Sequence, residues 1–184
     1  MGKFLFTSES VTAGHPDKVS DSVSDAILDA MLAQDPMSRV ACETLTNTGF
    51  IMIMGEITTK ANVDITQIVR DTICEIGYTD SKMGFDGNSC AVMVALDKQS
   101  PDIAMGVKDG DGAGDQGMMF GYACKDTDKY LPTAMVILQE LSQAYDELRK
   151  KDERFKPDGK AQITGIYENN KQPVDFSTGC SFNC

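Results

Sequence analysis

Arg39-Val40-Ala41-Cys42-Glu43-Thr44-Leu45-Thr46-Asn47-Thr48-Gly49-Phe50-Ile51-Met52-Ile53-Met54-Gly55-Glu56-Ile57-Thr58 is the stretch that decides the fold. Two apolar segments, around 39–46 and 50–58, flank Asn47-Thr48-Gly49, so the spacing predicts a hairpin. Upstream, Val19, Val23, Ala26, Ile27, Ala30 and Met31 recur at three- and four-residue intervals, predicting an amphipathic helix over 16–34 with Pro16 at its start. Downstream, Asp64 as cap, Gln67 three residues on and Gly77 as stop bound a second helix over 64–76, with Ile65, Ile68, Val69, Ile73 and Ile76 as its apolar stripe.

Beyond these elements, Ser89 to Leu96 and Met118 to Cys124 read as strands. A helix over 132–151 opens at Pro132 and carries Ala134, Leu138, Leu141, Tyr145 and Leu148 on one face. Residues 161–168 and 172–176 predict a final hairpin around Asn169-Asn170-Lys171. The segment 98–117, dense in glycine and aspartate, reads as a mobile surface loop. Helices mixed with hairpins, rather than strictly alternating βαβ units, favour an α+β fold over a doubly wound sheet.

Composition narrows the function. The 184 residues carry 17 Lys and Arg against 28 Asp and Glu, a formal charge of -11, and 41% are hydrophobic. That supports a real core and opposes non-specific nucleic-acid binding, which needs clustered cations. An acidic protein that handles polyphosphates must recruit metal ions or gather its few cations in one place. No window reaches transmembrane length, and Met1-Gly2-Lys3-Phe4-Leu5-Phe6 is too short for a signal-peptide hydrophobic region. The six cysteines (Cys42, Cys74, Cys90, Cys124, Cys180, Cys184) lack CxxC spacing, and with three of the first four in apolar stretches they read as buried free thiols of a cytoplasmic protein.

Three constellations could carry chemistry. Gly14-His15-Pro16-Asp17-Lys18 sets the only histidine and a carboxylate at the opening of a helix, where exposed amides suit phosphate. On composition alone a well-capped helix is the favoured account; the functional reading has Asp17 holding Mg²⁺ that carries phosphate oxygens while His15 donates a hydrogen bond nearby. Glu43 and Glu56 interrupt apolar strands; on a strand they face solvent, or, if buried, they need a cation or a hydrogen-bonding ligand. Gly112-Ala113-Gly114-Asp115-Gln116-Gly117 resists ready-made readings. Counting an EF-hand from Asp109 puts Ala113 fifth and Phe120 twelfth, and no Gly precedes Lys-Ser or Lys-Thr as a P-loop requires. The run Gly110-x-Gly112-x-Gly114 has the spacing of a Rossmann turn without its strand and helix, so an active-site lid fits better.

Phe6-Thr7-Ser8-Glu9-Ser10-Val11 followed by Gly14-His15-Pro16-Asp17-Lys18 resembles the opening of the S-adenosylmethionine synthetases. Ala41-Cys42-Glu43-Thr44, Gly55-Glu56-Ile57-Thr58-Thr59, Glu75-Ile76-Gly77-Tyr78, Gln99-Ser100-Pro101-Asp102-Ile103 and Gly112-Ala113-Gly114-Asp115-Gln116-Gly117 follow in the family's order. The resemblance covers about residues 3 to 168 and implies a two-layer sheet/helix fold of that family's pseudo-threefold type, incomplete here. It implies an N-terminal domain over 1–103, an active-site loop over 104–117 and an incomplete central domain over 118–184. It implies ATP and L-methionine as substrates, Mg²⁺ and K⁺ as cofactors, no nucleic-acid or membrane partner, and a homo-oligomer, dimer or tetramer, when full-length. By resemblance His15 is the catalytic, ATP-contacting histidine and Asp17 a Mg²⁺ ligand, while Asp158-Gly159-Lys160 matches an ATP-contacting segment with Gly where Ala is usual. Glu43 corresponds to a potassium-site residue, and Glu56, Gln99 and Asp115 to methionine contacts.

Departures from the pattern shape the expectation. The loop between Ile103 and Gly112 is shorter than in many members, Ala13 stands where an acidic residue is common, and the tail after about Val174 leaves the pattern. The expectation is a truncated or frameshifted product with weak or absent catalysis by itself. The alternative is an inactive fragment that binds only nucleotide or a partner. A poor third is an S-adenosylmethionine-dependent methyltransferase, resting on the glycine spacing.

Overall fold

The computed structural model describes residues 2–99, 117–168 and 173–182. The chain divides into two units, residues 19–120 and residues 1–18 with 121–184.

In the unit of residues 19–120 the predicted hairpin forms. Strands β2 (Arg39–Asn47) and β3 (Phe50–Thr58) pair antiparallel, from Arg39 opposite Thr58 to Asn47 opposite Phe50. Helix α1 (Pro16–Gln34), most of which lies in this unit, buries Val19, Val23, Ile27 and Met31 as its spacing requires. Helix α2 (Ile65–Ile76) starts where Asp64 accepts a 2.9 Å hydrogen bond from the Gln67 amide and stops where the Gly77 amide returns to the Cys74 carbonyl. Strand β4 (Ala91–Asp97) then pairs with β3 in parallel, Phe50 with Ala91 through Glu56 with Asp97. Parallel neighbours need a crossover, and α2 supplies it, so one βαβ unit sits where only hairpins were expected. The α+β class stands, since the sheet is mixed and both helices lie over one core.

That core joins Val19, Val23, Ile27 and Met31 of α1, Val69 and Ile73 of α2, and the alternate residues Ile51, Ile53 and Ile57 of β3. Each fully buried branched side chain contributes roughly 1.5–3 kcal/mol. Hydroxyl pairs tie α1 to β2, Ser20 to Thr46 at 2.9 Å and Ser24 to Thr44 at 2.8 Å. The Arg70 guanidinium anchors α2 to the chain entering β4 by donating to the Gly87 and Cys90 carbonyls. The opposite face of the sheet stays open, with Ala41, Glu43, Leu45, Glu56, Met93 and Ala95 exposed.

In the unit of residues 1–18 and 121–184, the sheet order is β1 (Lys3–Val11), β5 (Gly159–Glu168), β6 (Pro173–Phe182), all antiparallel. Helix α3 (Thr133–Arg149) buries Ala134 and Leu138 against Ala161 and Ile163 of β5. Tyr167 stacks on Phe4 at 5.1 Å and meets Phe6 edge-on, which fastens β1 to β5.

Four local expectations change. Met118 to Cys124 is not a strand: it has no ladder partner among the described residues, and the Met118, Met119, Phe120 and Tyr122 side chains point to solvent. Pro132 caps α3 rather than entering it, its carbonyl receiving the Met135 and Val136 amides. Leu148 lies off the buried stripe, 43% exposed, near the end of the helix. β6 runs to Phe182 instead of ending at 176, because its register with β5 continues from Phe176–Gly165 to Phe182–Gly159. The loop expected at 98–117 and the turn at Asn169-Asn170-Lys171 lie, but for residues 98, 99 and 117, outside the described residues.

Candidate active site

The first constellation is built by the end of β1. Val11 pairs with Lys160, so the chain leaving β1 runs directly against the chain entering β5. Thr12 continues the contact: its amide donates to the Gly159 carbonyl at 2.9 Å, and its buried hydroxyl donates to the Pro157 carbonyl at 2.6 Å. The Gly14 amide then donates to Pro157 at 3.1 Å. Only glycine fits at 14, because a Cβ there would lie 2.3 Å from the Pro157 Cβ and 2.4 Å from its carbonyl carbon. His15 follows Gly14 and Asp158 follows Pro157, so the backbone segments that carry His15 and Asp158 run side by side, with Lys160 opposite Val11.

Chemistry at this surface follows from the helix start. His15 Nδ1 accepts a 3.3 Å hydrogen bond from the Asp17 amide. A neutral ring with Nδ1 accepting carries its proton on Nε2, which becomes the donor offered outward. The same Nδ1 lies 3.7 Å from the Asp17 carboxylate. Asp17 is 84% exposed and acceptor-only, at the positive end of α1. Lys160 pairs with Glu9 at 3.0 Å; with both half-exposed, this bond contributes at most about 1 kcal/mol. A shallow depression of about 450 Å³ lies there, lined by Glu9, Lys160, Gln162, Gly179 and Cys180. Sequence reasoning missed Thr12, Glu9 and Gln162, for no local pattern announces a partner some 150 residues away.

The second constellation lies on the sheet of the other unit. Glu43 pairs with Met54 and Glu56 with Ala41, so the two carboxylates are diagonal neighbours on the open face. Both are exposed, so the solvent-facing alternative holds for this chain and neither is a buried charge. Glu56 is also level with Asp97, and Gln99 follows two residues later. The Gln99 Oε1 is buried and has no hydrogen-bond partner among the described residues. An orphaned acceptor of this kind is unusual. Asp115 lies outside the described residues.

Among the described residues no group of three or more His, Cys, Asp or Glu is placed to hold a metal ion. Asp17 nonetheless fits Mg²⁺, which is commonly held by one or two carboxylates together with substrate phosphates and water. Glu43 offers one carboxylate on an open face, which is not by itself a potassium site. The described cysteines are free; burial pushes the Cys42, Cys74 and Cys90 thiols up, and Cys180 is exposed. No helix among the described residues is long and apolar enough to cross a membrane.

A helix start that offers an imidazole and a carboxylate is equipment suited to a phosphorylated ligand. Comparison with known proteins makes the class specific. Residues 3–101 match the S-adenosylmethionine synthetase N-terminal domain, and residues 110–178 match that family's central domain. The chain belongs to the S-adenosylmethionine synthetase family. It is 54% identical over 191 residues to the S-adenosylmethionine synthase of Synechococcus sp. (strain CC9902), covering 97% of this chain and 47% of that protein. It is 56% identical over 193 residues to that of Kosmotoga olearia, covering 97% and 49%. The chain thus spans about half the length of the curated relatives it matches. The central-domain match reaches residue 178, a few residues past the point where the pattern was expected to fade.

Proposed function

We propose that this chain supplies the amino-terminal part of a methionine adenosyltransferase site, which joins L-methionine to the adenosyl group of ATP. The reading is supported by the hydrogen-bonded junction of residues 12–14 with 157–159, which brings the backbone carrying His15 alongside that carrying Asp158. In the reaction the methionine sulfur uses a lone pair to form a bond to the ATP 5′ carbon. The bond from that carbon to the triphosphate oxygen breaks, and the triphosphate leaves with the electron pair. The product is a sulfonium; the triphosphate is then hydrolysed to phosphate and pyrophosphate. No protein nucleophile is needed, so catalysis rests on alignment and on stabilising charge at the leaving group.

His15 serves as the catalytic histidine, its Nε2–H donating to the nucleotide, and Asp158-Gly159-Lys160 hold the nucleotide with Lys160 as the cation. Asp17 holds Mg²⁺ jointly with the phosphates, and the ion when bound offsets charge on the leaving triphosphate. Glu56, Gln99 and Asp115 take the methionine; the orphaned Gln99 Oε1 suits its ammonium. Glu43 is offered as one ligand of a K⁺ site that other groups must complete. Residues 1–103, 104–117 and 118–184 are assigned as N-terminal domain, active-site loop and part of the central domain. The open sheet face, with Leu45 and Met93 half-exposed, supports a homo-oligomer, and the free thiols support a cytoplasmic setting.

A second reading, a nucleotide- or partner-binding chain without catalysis, is favoured by the half-length coverage of its relatives. One assay separates the two: S-adenosylmethionine formation from ATP, methionine, Mg²⁺ and K⁺, with Asp17→Asn purified identically. Product that falls at least tenfold in the variant, about 1.4 kcal/mol of lost stabilisation, supports the enzyme. MgATP binding without product supports the second reading in its nucleotide-binding form, and neither binding nor product rejects the enzyme and leaves only a partner-binding chain.

A further inference from the structure

We infer that Thr12 is a positioning residue, whose hydroxyl clamps the helix start bearing His15 and Asp17 to the strand start bearing Asp158 and Lys160. The inference rests on the nucleotide reading of that site. Thr12 is only 2% exposed and is the buried polar side chain singled out from the described core. Its hydroxyl reaches two carbonyls across the junction, Pro157 at 2.6 Å and Gly159 at 3.3 Å. Those two residues bracket Asp158, and Lys160 is next in line. On its own side, the Thr12 carbonyl accepts the His15 amide at 3.0 Å, so one residue sets the start of the turn into α1 and also holds the Asp158 segment.

The arrangement fixes register as well as proximity. The backbone bonds Thr12 to Gly159 and Gly14 to Pro157 carry the β1–β5 register past its last pair, Val11 with Lys160, each as a single amide-to-carbonyl contact. The hydroxyl adds a third, buried bond between them, and a buried acceptor that loses its donor is penalised more than an exposed one. Thr12 touches no phosphate in this scheme. It acts through the separation it sets between the imidazole and carboxylate on one segment and the ammonium on the other. The ligand it serves is therefore the polyphosphate of the nucleotide, rather than the nucleoside.

The test uses the full chain with Thr12→Val, which keeps the shape and removes the hydroxyl, and Thr12→Ser, which restores it. Hydrogen exchange at the Gly14 and His15 amides reads the clamp without any ligand; MgATP and adenosine titrations read its consequence. The expected result for T12V is about tenfold faster exchange at Gly14 and about tenfold weaker MgATP binding, from the loss of one buried hydrogen bond. Adenosine affinity and exchange in β2 and β3 stay at wild-type values, and T12S returns both affected readouts. Wild-type exchange and MgATP affinity in T12V overturn the inference, as does equal loss in T12V and T12S, or equal loss for adenosine. If T12V does not fold, Thr12→Ala is read against the same outcomes. If the wild-type chain binds no MgATP, the nucleotide reading fails and with it the positioning role, while the exchange arm shows whether the clamp itself exists.

Discussion

Gly55→Ala tests whether the β2–β3 pairing beside Glu56 is as close as it looks. Gly55 lies within β3 at φ +140, a conformation alanine resists, opposite Cys42. A Cβ at this position would stand 2.0 Å from the Ala41 carbonyl oxygen and 3.0 Å from its carbon. Ordinary contact needs about 3.5 Å, so roughly 1.5 Å of separation must be found. The obstacle is the β2 backbone rather than the end of a flexible side chain, so the strands must part or the ladder must break locally. Backbone strain costs about 1–3 kcal/mol, overpacking a similar amount, and a lost ladder bond about 1 kcal/mol. A net loss of about 3–5 kcal/mol is expected, a large part of a domain stability of about 5–15 kcal/mol. With a urea slope near 2 kcal/mol/M, the midpoint drops by about 1.5–2.5 M, followed by circular dichroism. Ala41 is the direct partner of Glu56, so the methionine binding proposed for Glu56 should weaken with it in whatever fraction stays folded. A G55A midpoint within about 0.3 M of wild type would refute the close-approach argument and with it the account of why glycine precedes Glu56.

Two further outcomes follow from titration and burial. The Arg154 side chain, hydrogen-bonded to Asp152 at 2.6 Å and 3.0 Å, holds that carboxyl down at about 2, and the Lys60 amide similarly lowers Asp35. A carboxyl depressed in the folded chain stabilises it above its unfolded value, near 4, and loses that contribution as pH falls towards 2. Urea midpoints measured from pH 5 down to pH 2 should therefore fall less steeply in Asp152→Asn than in wild type, and parallel curves would count against the pairing. Burial pushes the Cys42, Cys74 and Cys90 thiols up while Cys180 is exposed, so iodoacetamide at pH 8 should label Cys180 first and Cys90 last. Peptide mapping that finds Cys90 modified as fast as Cys180 would contradict the core packing.

What the residues declared in advance depended on how local the cause was. Helix α2 was readable to the residue because its start and stop are single side-chain and glycine events, Asp64 and Gly77, within the helix's own reach. The hairpin was readable because Asn47-Thr48-Gly49 lies between its strands. The parallel partnership of β3 with β4 was not, since nothing in either strand specifies the direction of its neighbour; that is fixed by how α2 covers the sheet. Strand β1 escaped notice for a stronger reason. Its apolar and polar residues do not alternate cleanly, and its partner β5 begins at Gly159. Met118 to Cys124 shows the converse error, where apolar residues looked like a strand without a ladder to join.

The same distinction runs through the site. Gly14-His15-Pro16-Asp17-Lys18 and Asp158-Gly159-Lys160 each carry chemistry that is legible locally, a helix start and a cation between carboxylates. Their meeting is a property of the β1–β5 register. Because Val11 stands opposite Lys160, the next residue, Thr12, must face Gly159, and the turn after it must face Pro157. A slip of that register by one residue would turn Glu9 of the edge strand β1 to the α3 face of the sheet and separate it from Lys160. The short side of Gly14 and the buried hydroxyl of Thr12 both fit only the observed register. So the residues that hold β1 in place, among them Phe4 and Phe6 against Tyr167 at its far end, also decide how the 12–15 segment meets the 157–160 segment to which nucleotide binding is proposed.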